Sequence, residues 1–417
     1  MLLFVTLSLL SLALTVNVMR PLYHHPKWIV PSFLLGWLVG ELAVHVVLVQ
    51  AFVVSWFVFF GVVKGFWGAT GLVFFVSSWL ILEYHYFSGY KAKELMDRIV
   101  IPYRTSQDQS TWSRHTELDV GRLLRPFSSW KHDDVEVIKN IVYQEIDGFK
   151  LKLDIRRNKG TCTKAPVLFQ IHGGAWTYRL GSKNEQGVPL MVEMARQGWI
   201  CVSIDYRLSP HATFPDHIID CKQALVWVKE HIEEYGGDPN FIIATGGSAG
   251  GHLSSLLALT PGLADFQPGF EEQDTHVQGC IPFYGMYDLM DSQKLQRSAG
   301  LDIVLRKSIV KQTKQENPDL YQLMSPVTHV NKNAPPFLVI HGDKDSLTSL
   351  GEAQYFASTL DEISKQTVEF AEIPGAQHAF EIFSSLRSDY VLFGIAERLC
   401  QWHRDYHLLN MKEASAE

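Results

Sequence analysis

The sequence predicts an α/β fold, a mostly parallel sheet with helices on both faces, preceded by an all-helical hydrophobic membrane region. Three observations carry that reading. From residue 141 onward, short β-rich runs alternate with helical patterns, which is how βα units read along a chain. Most of those β runs are continuously apolar, as strands covered on both faces must be. Charge is also unevenly spread: residues 1–82 hold only Arg20, Lys27, Glu41 and Lys64, a net of +2, in a chain of net charge −7. The remainder therefore carries a net of −9, which argues against a nucleic-acid partner, since binding phosphates needs a basic face.

The hydrophobic region (residues 1–90) comes first. Residues 1–19 carry no charge and lack both the basic start and the small-residue cleavage site of a signal peptide. The stretch 28–63 is apolar apart from Glu41, His45 and Gln50, and 67–82 is apolar throughout. It ends at Glu83, with Tyr84, Tyr86 and Tyr90 placed as an interfacial belt. A crossing takes about 20 residues, so two to four spans fit and three fit best, the middle one long, kinked or re-entrant. Glu41 and His45 lie four apart and would share a helical face. The bland reading of that pair is polar glue between helices, and the sharper one a substrate or proton site. With three spans, Lys91, Lys93 and Arg98 place the following domain in the cytoplasm; one further re-entrant turn reverses the side.

A connector (91–140) leads to the domain at 141–410. Strands are expected at 141–146 and 151–155, flanking the hairpin signal Asp147-Gly148, then at 167–171, 200–204, 241–245, 280–283, 337–340 and 368–373. Helices are expected at 188–197, 218–235, 249–259, 351–360 and 389–402. About 50 residues separate the strands at 280–283 and 337–340, too many for a simple βα connection. They predict a helical cap insertion (about 285–333), with a basic helical pattern over 293–315. Cys162, Cys201, Cys221, Cys280 and Cys400 are odd in number, widely spaced and mostly within apolar runs, so they read as core residues, not disulfides or zinc ligands. No ligand spacing such as H-E-x-x-H occurs, and neither metal nor cofactor is expected.

Gly246-Gly247-Ser248-Ala249-Gly250 fits G-x-S-x-G, between a strand and a helix, the setting of a nucleophile elbow. Ser248 is the candidate nucleophile. His172-Gly173-Gly174-Ala175-Trp176 follows the strand at 167–171. Its small residues leave amides bare, so Gly173, Gly174 or Ala175 can join Ala249 in holding a developing oxyanion, each donor worth about 3–4 kcal/mol. His172 is expected to fix that loop and Trp176 to wall an acyl pocket. A serine nucleophile needs a base and an orienting carboxylate, here in the chain order Ser, Asp, His. His378 is the histidine on the loop before the last helix and is the candidate base. Asp345 is preferred over Asp343 as the acid because it lies past the tight Gly342 turn, while Asp343 caps the loop.

HGGAW, DYRLSP (205–210) followed by FPDHIID, GGSAGGH, HGDKD and GAQH together resemble the hormone-sensitive-lipase-type carboxylesterases of the α/β-hydrolase fold, over about 141–403. GGSAGGHLSSL, FQPGFEE and PFYGMYDL are similar to bacterial, mycobacterial-type membrane-associated esterases and lipases. The resemblance implies Ser248, Asp345 and His378 as the triad and the HGGAW amides as oxyanion donors. Two departures stand out: Ala175 replaces a glycine of HGGG, and Gly247 replaces the acidic residue of GDSAGG. Asp205, Tyr206, Arg207 and Asp220 are expected to brace the site loops. The resulting expectation is an integral protein of a bacterial cell membrane that hydrolyses hydrophobic esters beside the lipid bilayer. The same triad would serve an amidase, deacetylase or peptidase, whereas a non-catalytic lipid-binding protein would show a broken triad. Removing residues 1–82 is expected to leave an active, water-soluble domain.

Overall fold

The computed structural model describes residues 1–22, 26–105, 121, 124–146, 148–160, 163–178, 180–296 and 300–414. Eight strands form one sheet: β1 (Val135–Ile146), β2 (Phe149–Asn158), β3 (Ala165–Ile171), β4 (Ile200–Ile204), β5 (Gly237–Gly247), β6 (Gly279–Phe283), β7 (Phe337–Gly342) and β8 (Val368–Ile373). Their order is β1-β2-β4-β3-β5-β6-β7-β8. β2 runs antiparallel to both its neighbours, and the other pairs are parallel. β3, β4, β6 and β7 are buried at every position, because helices cover both faces. Alternate side chains serve two cores: Val167, Phe169 and Ile171 face one, Leu168 the other.

β1 starts before the predicted 141, at Val135, because Glu136, Lys139 and Asn140 on an edge strand break the apolar run that signals a strand. Asp147 of the hairpin signal and Cys162 lie outside the described residues. Cys201, Cys221 and Cys280 are buried and Cys400 is half-buried, its Sγ donating to Gln197 Oε1 at 3.4 Å. Between β6 and β7 the helical pattern predicted over 293–315 is realised only as Gly300–Val304 and the π-helical turn Leu305–Ile309, with 297–299 outside the description. Lys311, at φ 61°, turns the chain away after them.

The hydrophobic region forms α1 (Leu2–Met19), α2 (Pro26–Glu41), α3 (Ala43–Phe59) and α4 (Gly65–Phe87), followed by α5 (Gly89–Val100). α1 and the segment Gly65–Tyr103 are long and apolar enough to cross a membrane, with mean hydropathy 2.2 and 1.6. α2 and α3 form a pair bent by 86°. The predicted Glu41–His45 pairing does not form, because the helix breaks between them and a shared face requires a continuous helix. Glu41 instead meets Arg387, and His45 Nε2 lies 3.1 Å from the Leu124 carbonyl.

Candidate active site

The site lies at the C-terminal edge of the sheet, where β5 ends at Gly247 and passes through Ser248 into the helix Ala249–Leu259. Ser248 has φ 58° and ψ −120°, a conformation costing about 1–3 kcal/mol that persists only where the surroundings impose it. They do so through close backbone approach. A Cβ on Gly246 would sit 2.5 Å from the Gly250 and Ile171 carbonyl oxygens, and one on Gly250 would sit 2.1 Å from Ile171 O. Only glycine lets β3, β5 and the following helix meet so closely. The Ser248 amide donates to Phe283 O at 3.0 Å, fixing the turn against β6.

The loops after β7 and β8 bring Asp345 and His378 together. Asp345 Oδ2 lies 2.7 Å from His378 Nδ1. Asp345 Oδ1 accepts the amides of Leu347 (2.8 Å) and Thr348 (2.9 Å), which aims the carboxylate. Burial alone would raise the Asp345 pKa, but the His378 charge and hydrogen bond override it and hold the carboxyl down to about 2. Gln377 Oε1 ties the two loops, accepting from the amides of Ser346 (2.8 Å) and His378 (3.0 Å). Asp343 instead accepts the Gly375 amide at 2.6 Å, away from the imidazole. The Asp345 contact engages Nδ1 and leaves Nε2 as the other ring nitrogen. The Ser248 and His378 loops converge on Tyr284, which follows Phe283 and whose ring centroid lies 4.3 Å from that of His378. No hydrogen bond joins Ser248 Oγ to His378 among the described residues.

The loop after β3 is equally strained, with Gly174 at φ 105°, Ala175 at 51° and Trp176 at 57°. A Cβ on Gly174 would fall 1.5 Å from Leu180 O. The four predicted oxyanion donors are not equivalent. Gly173 N–H donates to Gln186 Oε1 at 2.5 Å, so that amide is occupied, which corrects its assignment. No acceptor among the described residues takes the amides of Gly174 or Ala175. Ala249 opens its helix, so its N–H has no partner within it. Trp176 is also corrected: at 0% exposure, edge-to-face on His252 at 5.1 Å, it supports the loop from beneath and offers no surface to an acyl chain. His172 Nδ1 lies 2.7 Å from Gly173 O, and Tyr206 donates to His172 O at 3.0 Å. Arg207 pairs with Asp220 at 2.9 Å, and Asp205 accepts from Lys183 at 3.0 Å.

The space that an acidic residue at 247 would need is filled. A Cβ on Gly247 would meet Gln186 Nε2 at 2.6 Å and Tyr284 Oη at 2.8 Å. Gln186 Nε2 donates to Tyr284 Oη at 3.1 Å, and Tyr284 Oη donates in turn to Glu381 Oε1. Burial pushes the Glu381 carboxyl up to about 7, and burial with the Glu381 charge keeps the Tyr284 phenol well above its usual range. Sequence reasoning missed this chain, because the three residues lie in unrelated segments and only Gly247 hinted at a vacancy.

The BD-FAE family model matches residues 153–360. A probable carboxylic ester hydrolase of Mycobacterium tuberculosis, LipM, is 48% identical over 288 residues, covering 69% of this chain and 65% of that protein. Esterase LipQ of the same organism is 43% identical over 57% of this chain and 55% of its own length. The chain thus spans 55–65% of the length of these two relatives. An arylesterase of Saccharolobus solfataricus is 32% identical over 52% of this chain and 69% of its own length. Among solved structures, a propionate-bound esterase of Thermogutta terrifontis aligns with TM-score 0.52 at 25% identity, over 67% of this chain and 95% of that one. With the parallel sheet, the strained serine turn and the Asp345–His378 pair at one sheet edge, these similarities lead to one conclusion: the chain belongs to the hormone-sensitive-lipase-type carboxylesterase family of α/β hydrolases.

Proposed function

We propose that the protein is a membrane-anchored serine carboxylesterase acting on esters with hydrophobic acyl groups. The observation that carries this reading is the 2.7 Å Asp345–His378 pair set beside the strained Ser248 turn. In the first step Ser248 Oγ attacks the ester carbonyl carbon while His378 Nε2 takes the hydroxyl proton. The carbonyl oxygen becomes an oxyanion facing the amides of Gly174, Ala175 and Ala249. Collapse expels the alcohol, protonated by His378, and leaves an acyl-serine. Water then adds, giving its proton to His378, and the acid leaves as Ser248 regains its hydrogen. Asp345 stays ionised throughout and steadies the imidazolium. In unliganded sites the serine–histidine hydrogen bond is commonly long and tightens when substrate binds.

Membrane anchoring is supported by α1, the Gly65–Tyr103 segment and the bent pair, together with the apolar side chains they turn outward. Leu9, Leu10, Val49, Phe52, Phe59 and Phe66 are each at least 48% exposed, an apolar surface that water does not tolerate on this scale. The similarity to a mycobacterial probable carboxylic ester hydrolase and a mycobacterial esterase supports ester hydrolysis. Fluorophosphonate labelling of the full chain tests the reading. Wild type should label at Ser248 and turn over aryl esters, and Ser248→Ala should do neither; turnover retained by Ser248→Ala would overturn the assignment.

A further inference from the structure

The His378 loop is held by the hydrophobic helices as much as by its own sheet. α2 lays one face along it. Trp37 Nε1 donates to Ala379 O at 2.9 Å, and the Trp37 ring stacks on Phe383 at 4.9 Å. Phe33, one turn earlier, sets its ring edge-on to the His378 imidazole at 5.8 Å. Gly36, between them, is buried where a Cβ would come within 3.6 Å of Gln377 Nε2, the side chain that ties the Asp345 and His378 loops. At the end of α2, Glu41 meets Arg387 Nη1 (3.2 Å) and Ser385 Oγ (2.7 Å). Arg387 Nε donates to Pro374 O at 2.7 Å, at the start of the loop. The loop is thus gripped at Pro374, His378 and Ala379. α2 also leaves Val30, Leu34, Leu35 and Leu38 uncovered by the hydrolase, each at least 39% exposed. The helix thus packs on the hydrolase through Phe33, Trp37 and Glu41 and keeps exposed apolar side chains where lipid would lie.

We propose that α2 is a working part of the hydrolytic site, with Trp37 and Phe33 as positioning residues that set the His378 ring from the membrane segment. The proposal rests on the esterase reading given above. Because the base serves every substrate, its mispositioning slows a water-soluble and a bilayer-borne ester alike; a wall that merely touched acyl chains would slow only the latter.

The test uses the full chain in phosphatidylcholine nanodiscs, with p-nitrophenyl acetate in solution and dioleoylglycerol in the disc. Trp37→Phe keeps the stacked ring and removes the Nε1 donor, Phe33→Leu removes the edge contact, and Leu34→Ala at an exposed position is the control. Trp37→Phe and Phe33→Leu should each lower kcat roughly tenfold on both esters, since displacements near 1 Å already cost that much or more. KM for the acetate ester and the thermal midpoint should hold, and Leu34→Ala should match wild type. The fluorophosphonate labelling rate at Ser248 should fall in step with kcat. Unchanged kcat in both variants, a loss confined to dioleoylglycerol, or a loss matched by lost folded protein would each overturn the positioning role. Failure of the esterase reading is distinguishable, because wild type itself would then hydrolyse neither ester and leave Ser248 unlabelled.

Discussion

Asp343 and Asp345 stand two residues apart on one loop, yet the structure gives them separate surroundings. Asp345 meets the imidazole and two backbone amides, whereas Asp343 meets the Gly375 amide. Asp345→Asn should therefore lower kcat roughly 10³- to 10⁴-fold, as loss of an orienting carboxylate does, while Asp343→Asn should leave turnover near wild type. Steady-state kinetics of the two variants check this. Because Asp345 is held down to about 2, its pairing stabilises the fold above the ordinary carboxyl range and is lost only as pH falls through about 2. Glu381 has the opposite sign. Its carboxyl is raised to about 7 by burial, so between the ordinary carboxyl value and about 7 the folded chain holds a proton that the unfolded chain has released. Stability should fall with rising pH across that window and then level off. Glu352, also pushed up to about 7 by burial, adds to the same decline. Glu381→Gln should remove part of the slope, read as unfolding midpoints from pH 4 to pH 8.

At the scale of the element, the strand-to-helix turn at Ser248 works because four chain segments approach within contact of bare glycine backbone. Gly247 is the telling position. Restoring the family's more common acid there, Gly247→Asp, would drive its side chain into Gln186 and Tyr284. Overpacking of this kind costs about 1–3 kcal/mol, and here it would also pull Gln186 from the Gly173 amide. The variant should lose both thermal stability and kcat, measured side by side. The glycines themselves were readable from the motif, since a sharp turn needs them. Gln186, Tyr284 and Glu381 were not, because a hydrogen-bonded chain across three loops leaves no spacing to detect.

Across the whole molecule, the hydrophobic helices and the hydrolase share a buried ion pair, Glu41–Arg387, with both side chains at most 3% exposed. Glu41→Ala would strand the Arg387 charge and should cost about 3–5 kcal/mol, whereas the double variant Glu41→Leu/Arg387→Met should recover most of it. Chemical unfolding in detergent separates the two outcomes. The same contact argues against a cleanly separable domain: removing residues 1–82 would take away Phe33, Trp37 and Glu41 together and bare the His378 loop. The sequence by itself determined the sheet of buried strands, the sharp strand-to-helix turn at Ser248 and the apolar region, because each is written in local periodicity or in a motif that local backbone geometry demands. Only the tertiary structure decided that Gly173 is occupied, that Trp176 lies beneath the loop, and that Glu41 turns from His45 to Arg387. These depend on contacts between residues up to 346 positions apart, and side chains that meet only through folding leave no periodicity along the chain.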